Sequence, residues 1–194
     1  TFFACEKYGI RPDMLVLSKQ LTSSYMPLAA VLMSDAMYQA MADQTERLGN
    51  FGHGYTASGH PVATAVGLEN LKIYEEKQLV ERVAKTGARL QEHVATFADS
   101  PIVGEVRGVG LIAAIELVAD KATKAHFDPP GKVGMYLAER GHEHGIIVRA
   151  IRDTIALCPP MIIEEVEVDE MMKRLRAAFD DAEAFVANNM PAAA

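Results

Sequence analysis

From Pro61 to Phe97 apolar residues return at helical spacing, at Val66, Leu68, Leu71, Ile73, Tyr74, Leu79, Val80, Val83, Leu90, Val94 and Phe97. Such a stripe specifies one long helix or two abutting ones, broken near Lys77-Gln78. Pro61 suits the first helical turn, where its missing N–H leaves no bond unmade. Met14-Leu-Val-Leu17 reads as a buried strand, and Pro27-Leu-Ala-Ala-Val-Leu-Met33 is a second run of the same kind. Ser34-Asp35 offers an N-cap for a helix through about Asp43. Residues 44–60 hold four glycines and no helical period, which predicts a long loop of the sort that usually carries function.

After Phe97 the texture changes. Ile102–Leu117 is rich in β-branched residues and glycine and predicts two strands joined at the glycines; Gly108-Val-Gly110 is a strand bend rather than a nucleotide signature. Lys132–His144 and Val166–Ala187 read as helices, with short strands at Ile146–Val148 and Ile155–Leu157. Pro191-Ala-Ala-Ala194 is a low-complexity tail. The expected class is α/β, with residues 1–97 in one domain and 98–194 in a small α+β domain.

Charge and cysteine content narrow the function classes. The net charge is −7, and Lys and Arg are scattered, so the basic stripe of a nucleic-acid binder is missing. Cys5 and Cys158 stand apart without ligand spacing and read as reduced thiols. No apolar run approaches the ~20 residues of a membrane helix, and no signal peptide is evident, so the expected compartment is the cytoplasm. The chain opens at Thr1, without Met, inside the apolar run TFFACEKYG, and is expected to be the interior of something longer.

Three places could carry chemistry. Lys19 comes off the end of the first apolar run and heads the polar turn SKQLTSSY. Partial desolvation there would favour a neutral amine able to form an imine with an aldehyde cofactor; a solvated lysine after a strand gives the same pattern. The loop Asn50-Phe-Gly-His-Gly-Tyr-Thr-Ala-Ser-Gly-His-Pro61 joins glycines and hydroxyls to a helix start, which suits a phosphate, as it also suits a plain surface loop. His53 and His60 lie seven apart with no carboxylate or thiolate beside them, so no metal is expected. Arg149 follows the run Ile146–Val148, and its fork of donors suits a substrate carboxylate. Arg152 competes for that role, with Asp153 beside it, and a structural salt bridge would explain either arginine. His142 and His144 read as solvated or capping residues, and Glu164-Glu165 and Asp180-Asp181 as solvated faces.

Four segments, in order, resemble the class III aminotransferases of the omega-amino acid:pyruvate type. PDMLVLSKQLTSSYMPLAAVLMS is similar to the segment around their cofactor lysine, and NFGHGYTASGHPVATAVGLENL to the loop that crosses their dimer. EVRGVGLIAAIELVADKAT resembles the start of their C-terminal domain, and HGIIVRAIRDTIALCPPMII their late strand pair. The resemblance implies the C-terminal part of a fold-type-I transferase dependent on pyridoxal 5'-phosphate. It implies that Lys19 is the Schiff-base lysine, that Thr56 binds the phosphate of the neighbouring subunit's cofactor, and that Tyr55 lines that end of the pocket. Arg149 matches the arginine that swings in for carboxylate substrates. The family often has glycine after the lysine and before the tyrosine, where this chain has Gln20 and Ser24, so the shape of the turn is the point of departure.

The implied reaction moves an amino group from an amine or omega-amino acid to a keto acid, with pyruvate the expected acceptor. The implied partners are the missing N-terminal portion of the enzyme, which carries the aspartate for the pyridine nitrogen and most phosphate donors, and a second subunit in a homodimer. Competing readings are a 2-oxoglutarate-dependent aminotransferase, an aminomutase of the same fold, and an inactive fragment serving as a dimerisation module. An absorbance spectrum with and without an N-terminal partner chain separates the last from the others.

Overall fold

The computed structural model describes residues 1–190, so the predicted Pro191–Ala194 tail lies outside the described residues, and contacts divide the chain after Val80. In the first unit a single helical turn, Ala4–Lys7 (α1), leads to Met14–Leu17 (β1). A 3₁₀ turn at Lys19–Leu21 follows, and then Ala30–Met33 (β2). The second strand starts three residues later than its apolar run, because Pro27 has no N–H to give to a ladder. β1 and β2 pair antiparallel from Met14 opposite Met33 to Leu17 opposite Ala30. Within the described residues β1 is only partly covered. Val16 is 72% exposed and Met14 nearly half so, since β2 is the only strand among the described residues that borders β1.

Asp35–Leu48 forms α2, five residues longer than expected, so the loop is correspondingly shorter. Gln44–Leu48 are mostly good helix formers, and Thr45 Oγ1 donates back to the Met41 carbonyl at 3.1 Å. The helix ends at Gly49, whose φ of +83° L side chains rarely adopt. Pro61–Glu76 forms α3, with proline in its first turn as predicted. The break falls at Lys77-Gln78, where Gln78 is left-handed, and Leu79–Ala95 (α4) follows.

The second unit, from Glu81 onward, holds the core. A short 3₁₀ turn, Thr96–Asp99, ends α4, after which Val103–Val109 (β3) and Ile112–Leu117 (β4) form the hairpin expected at the glycines. Lys132–Glu143 is α5, Arg149–Ile151 is β5, Thr154–Leu157 is β6, and Glu165–Asn189 is α6. The four strands make one antiparallel sheet in the order β3-β4-β6-β5. β4 alternates, burying Ala113, Ile115 and Leu117, as a strand with one covered face must. Against that face lie Leu90 and Val94 of α4, Val133 and Leu137 of α5, and Val168, Met172, Leu175 and Phe179 of α6. The α6 residues recur every three to four positions, which is one helical face.

The predicted strand at Ile146–Val148 is not formed. The Ile146 amide donates to the Gly141 carbonyl at 2.9 Å, closing the end of α5, and Gly145 turns the chain at φ +78°. Those apolar residues complete a helix cap, so the strand begins at Arg149.

Candidate active site

Lys19 opens a turn that a regular backbone does not make. Its φ is +52°, Ser23 stands at +48° and Ser24 at +65°. Each left-handed non-glycine residue costs on the order of 1 kcal/mol, and such residues persist only where the surroundings hold them. Thr22 is buried, and its Oγ1 donates to the Met26 carbonyl at 2.6 Å. From α3 the Asn70 side chain donates to the carbonyls of Gln20 (2.8 Å) and Leu21 (3.3 Å) and accepts from Ser23 Oγ (2.8 Å). Gly67 lies one turn earlier, where an added Cβ would sit 3.0 Å from Leu28 Cδ2. Burial pushes the Tyr74 hydroxyl above its ordinary pKa, offset in part by its hydrogen bond with Gln20.

Lys19 itself is exposed among the described residues, at the end of a strand that is covered only in part, with Leu15 and Leu17 half-buried and Met14 and Val16 exposed. Among the described residues no ion pair or hydrogen bond engages its ammonium group. A strained turn clamped from behind thus presents one unencumbered amine.

The glycine-rich loop is exposed throughout, from Asn50 to His60. Phe51, His53 and Tyr55 form a run of ring contacts, with centroids 5.8 and 5.6 Å apart. Tyr55 and Ser58 close a tight turn, the Tyr55 amide donating to Ser58 Oγ at 3.0 Å and the Ser58 amide to the Tyr55 carbonyl at 2.9 Å. Thr56 sits inside that turn, five residues ahead of the start of α3. The exposed Thr56 hydroxyl and the helix N-terminus that follows it suit a phosphate, and the Lys19 amine by itself suits an aldehyde; no contact among the described residues joins the two.

In the second unit, Arg149 opens the edge strand β5, opposite Ala156, with its side chain exposed. Among the described residues it has no ion pair, whereas Arg82, Arg89, Arg107, Arg140 and Arg174 each have one. Arg152 and Asp153 form the two-residue turn of the β5–β6 hairpin, with Arg152 at φ +54°. Neither arginine forms a salt bridge among the described residues, and Asp153 serves as a helix cap. Asp153, only 5% exposed, accepts from the Gly131 amide (2.5 Å) and the Gly134 amide (2.9 Å) at the start of α5. An ionised carboxylate at a helix N-terminus satisfies amides that have no partner inside the helix. Gly134 is required there, because a Cβ would come 2.0 Å from the Arg152 carbonyl oxygen. The hairpin that carries Arg149 is therefore fixed to α5.

Of the acidic pairs read as solvated faces, Glu164 and Asp180 are exposed, whereas Asp181 belongs to one of two clusters built on α6. Asp169 of α6 accepts from Arg89 Nε (2.8 Å) and lies 2.7 Å from His93 Nε2, both on α4. Asp181, three turns further along α6, lies 2.8 Å from His144 Nε2 and accepts from Arg140 Nε at 3.0 Å. Arg89 first, and His93 after it, hold the Asp169 carboxyl down at about 2; His144 and Arg140 lower Asp181 in the same way. Glu164 pairs with Arg82 at 3.1 Å, and its amide donates to Glu167 at the start of α6. Arg and His four apart on one helix face could have suggested a shared acceptor; the Asn70 and Asp153 contacts, separated widely in sequence, left no such signal.

The described residues thus hold an antiparallel sheet with helices on one face, a lysine on a clamped turn and an arginine on an edge strand. The chain belongs to the class-III aminotransferase family, whose model matches residues 1–179. It is 42% identical over 183 residues to gamma aminobutyrate transaminase 3, chloroplastic, of Solanum lycopersicum, covering 94% of this chain and 35% of that protein. Vanillin aminotransferase of Capsicum frutescens is 40% identical, with 94% and 40% covered. The crystal structure of the omega transaminase from Pseudomonas jessenii in complex with PMP superposes with a TM-score of 0.92 at 50% identity, covering 97% of this chain and 42% of that one. The chain thus spans well under half the length of these relatives, and its mixed helix-and-sheet architecture is that of the corresponding part of aminotransferase structures.

Proposed function

We propose that the enzyme containing this chain transfers an amino group from an amine or omega-amino acid to a keto acid, pyruvate being the acceptor we favour. The observation that carries the reading is the family match across residues 1–179 together with the free Lys19 amine on its clamped turn. The names of the relatives support the donor class, since gamma-aminobutyrate carries its amine at the far end from its carboxylate. Pyridoxal 5'-phosphate, when bound, supplies an aldehyde carbon and an electron-accepting ring. Lys19 Nζ would hold that aldehyde and, once freed by the donor amine, would be placed to move a proton at the substrate carbon. Thr56 Oγ1 would hold a phosphate oxygen, Tyr55 would border that end of the site, and Arg149 would hold the carboxylate of the keto acid by charge-assisted hydrogen bonds.

The rest of the assembly belongs to the same proposal. An upstream portion of the enzyme supplies the acidic partner of the pyridine nitrogen and most phosphate donors, and a homodimer brings Tyr55 and Thr56 to the neighbouring site. By the resemblance residues 1–97 would belong to the large cofactor-binding domain and 98–194 to the small one; contacts divide the chain after Val80 instead, so that nearly all of α4 groups with the second unit. The cytoplasm is the compartment we propose, on the free thiols Cys5 and Cys158. Borohydride reduction of the full-length enzyme followed by peptide mapping should place a pyridoxyl group on Lys19. Its appearance on Lys7 or any other lysine overturns the assignment.

A further inference from the structure

We propose that Asn70 is the positioning residue for Lys19, acting by fixing the left-handed turn that aims its amine. This rests on the reading of Lys19 given above and adds a residue of α3 to it. Three non-glycine residues at positive φ within Lys19–Ser24 form a segment that reverts to ordinary backbone unless something outside it intervenes. The intervening group is one side-chain amide. Its Nδ2 donates to the two carbonyls directly after Lys19, those of Gln20 and Leu21, and its Oδ1 accepts from Ser23 Oγ. Both ends of the amide are therefore used, and the choice of which end faces which group is fixed by the partners.

Only asparagine meets all three demands at that reach. Aspartate would set a carboxylate against two carbonyl oxygens, and leucine would leave two acceptors and a donor unmet. The same face of α3 prepares the contact. Ala63 and Gly67 are its two buried positions, Asn70 and Tyr74 follow at helical spacing, and an added Cβ at Gly67 would lie 3.6 Å from the Leu21 carbonyl and 3.9 Å from Thr22 Cγ2. Tyr74 bonds Gln20 from one turn further on. Small residues let the helix come close, and Asn70 fastens the turn where it does.

The test uses the full-length enzyme and the variants Asn70→Asp, Ser23→Ala and Asn70→Asp with Ser24→Gly, with Glu69→Gln as a neighbouring control that removes only the surface pair to Lys72. Three quantities are read: amide hydrogen exchange at residues 20–25, the rate at which pyridoxal phosphate with cyanoborohydride labels Lys19 against Lys77, and the split between kcat and KM. In Asn70→Asp exchange should quicken, Lys19 labelling and kcat should each fall roughly 10-fold, and both KM values should stay within about twofold. Ser23→Ala should move the same way by less, and it decides the matter where Asn70→Asp fails to fold. Ser24→Gly should restore part of the loss, since glycine holds a φ of +65° without help. Faster exchange with labelling and kcat unchanged would leave Asn70 a structural residue and overturn the proposal alone. A wild type labelled at another lysine overturns the reading of Lys19, and this one with it.

Discussion

Replacing Asp153 should loosen α5 and the hairpin that carries Arg149. The carboxylate accepts two backbone bonds, from Gly131 and Gly134, in a site 5% exposed, so Asp153→Ala strands two amides that water reaches poorly. Bonds to a charged group contribute about 1.5–3 kcal/mol each, and the helix N-terminus adds up to about 2 kcal/mol in partly buried geometry. Against that, the variant no longer has to desolvate a carboxylate, which returns several kcal/mol. The unmet amides decide the sign, and a net loss of about 3 kcal/mol is expected. Asp153→Asn keeps one acceptor oxygen but turns an NH₂ toward the other amide, and should lose about half as much. Native-state hydrogen exchange of the α5 amides in the full-length enzyme measures this directly, because 3 kcal/mol corresponds to roughly 100-fold faster exchange. Exchange in Asp153→Ala within about threefold of wild type, or Asn as damaging as Ala, would refute the cap as the reason this residue is buried.

Arg149→Ala should raise KM for pyruvate or alanine roughly 10-fold or more while changing KM for an apolar amine little; equal effects on both, or a larger effect from Arg152→Ala, contradict the carboxylate role. Asp169, with its carboxyl held down at about 2 mainly by Arg89, contributes stability that is fully present above the ordinary carboxylate range and lost as pH falls through about 2. Urea midpoints for Asp169→Asn should therefore lie below wild type at pH 6 and converge with it near pH 2; a constant gap across that range refutes the linkage. Phe179→Ala removes a fully buried ring whose centroid lies 4.6 Å from that of Phe97, and should cost about 3–5 kcal/mol in denaturant unfolding. Gly87→Ala should destabilise as well, because its Cβ would lie 2.6 Å from Gly110 Cα and neither backbone can yield; an unchanged melting temperature would show that the two chains do separate.

The sequence by itself determined the local elements, since hydrophobic period, proline and glycine act within a few residues. α3 begins at Pro61, the break comes at Lys77-Gln78, the β3–β4 hairpin turns at its glycines, and α5 and α6 lie where their stripes place them. The lysine turn, the loop with Tyr55 and Thr56, and Arg149 were legible as types of residue in the right order. What the tertiary structure alone decided is what each group touches. Ile146–Val148 looks like a strand and serves as a helix cap, because the alternative partner, the Gly141 carbonyl, comes from the helix that precedes it. Asp153 looks like a partner for Arg152 and instead binds amides about twenty residues earlier. Asn70 is an unremarked helical residue until the fold lays it against the Lys19 turn, some fifty residues back along the chain. Burial followed the same rule: β1 is as apolar as any core strand, yet it is covered only in part, because apolar character gives a strand a face to cover and only neighbouring chain covers it.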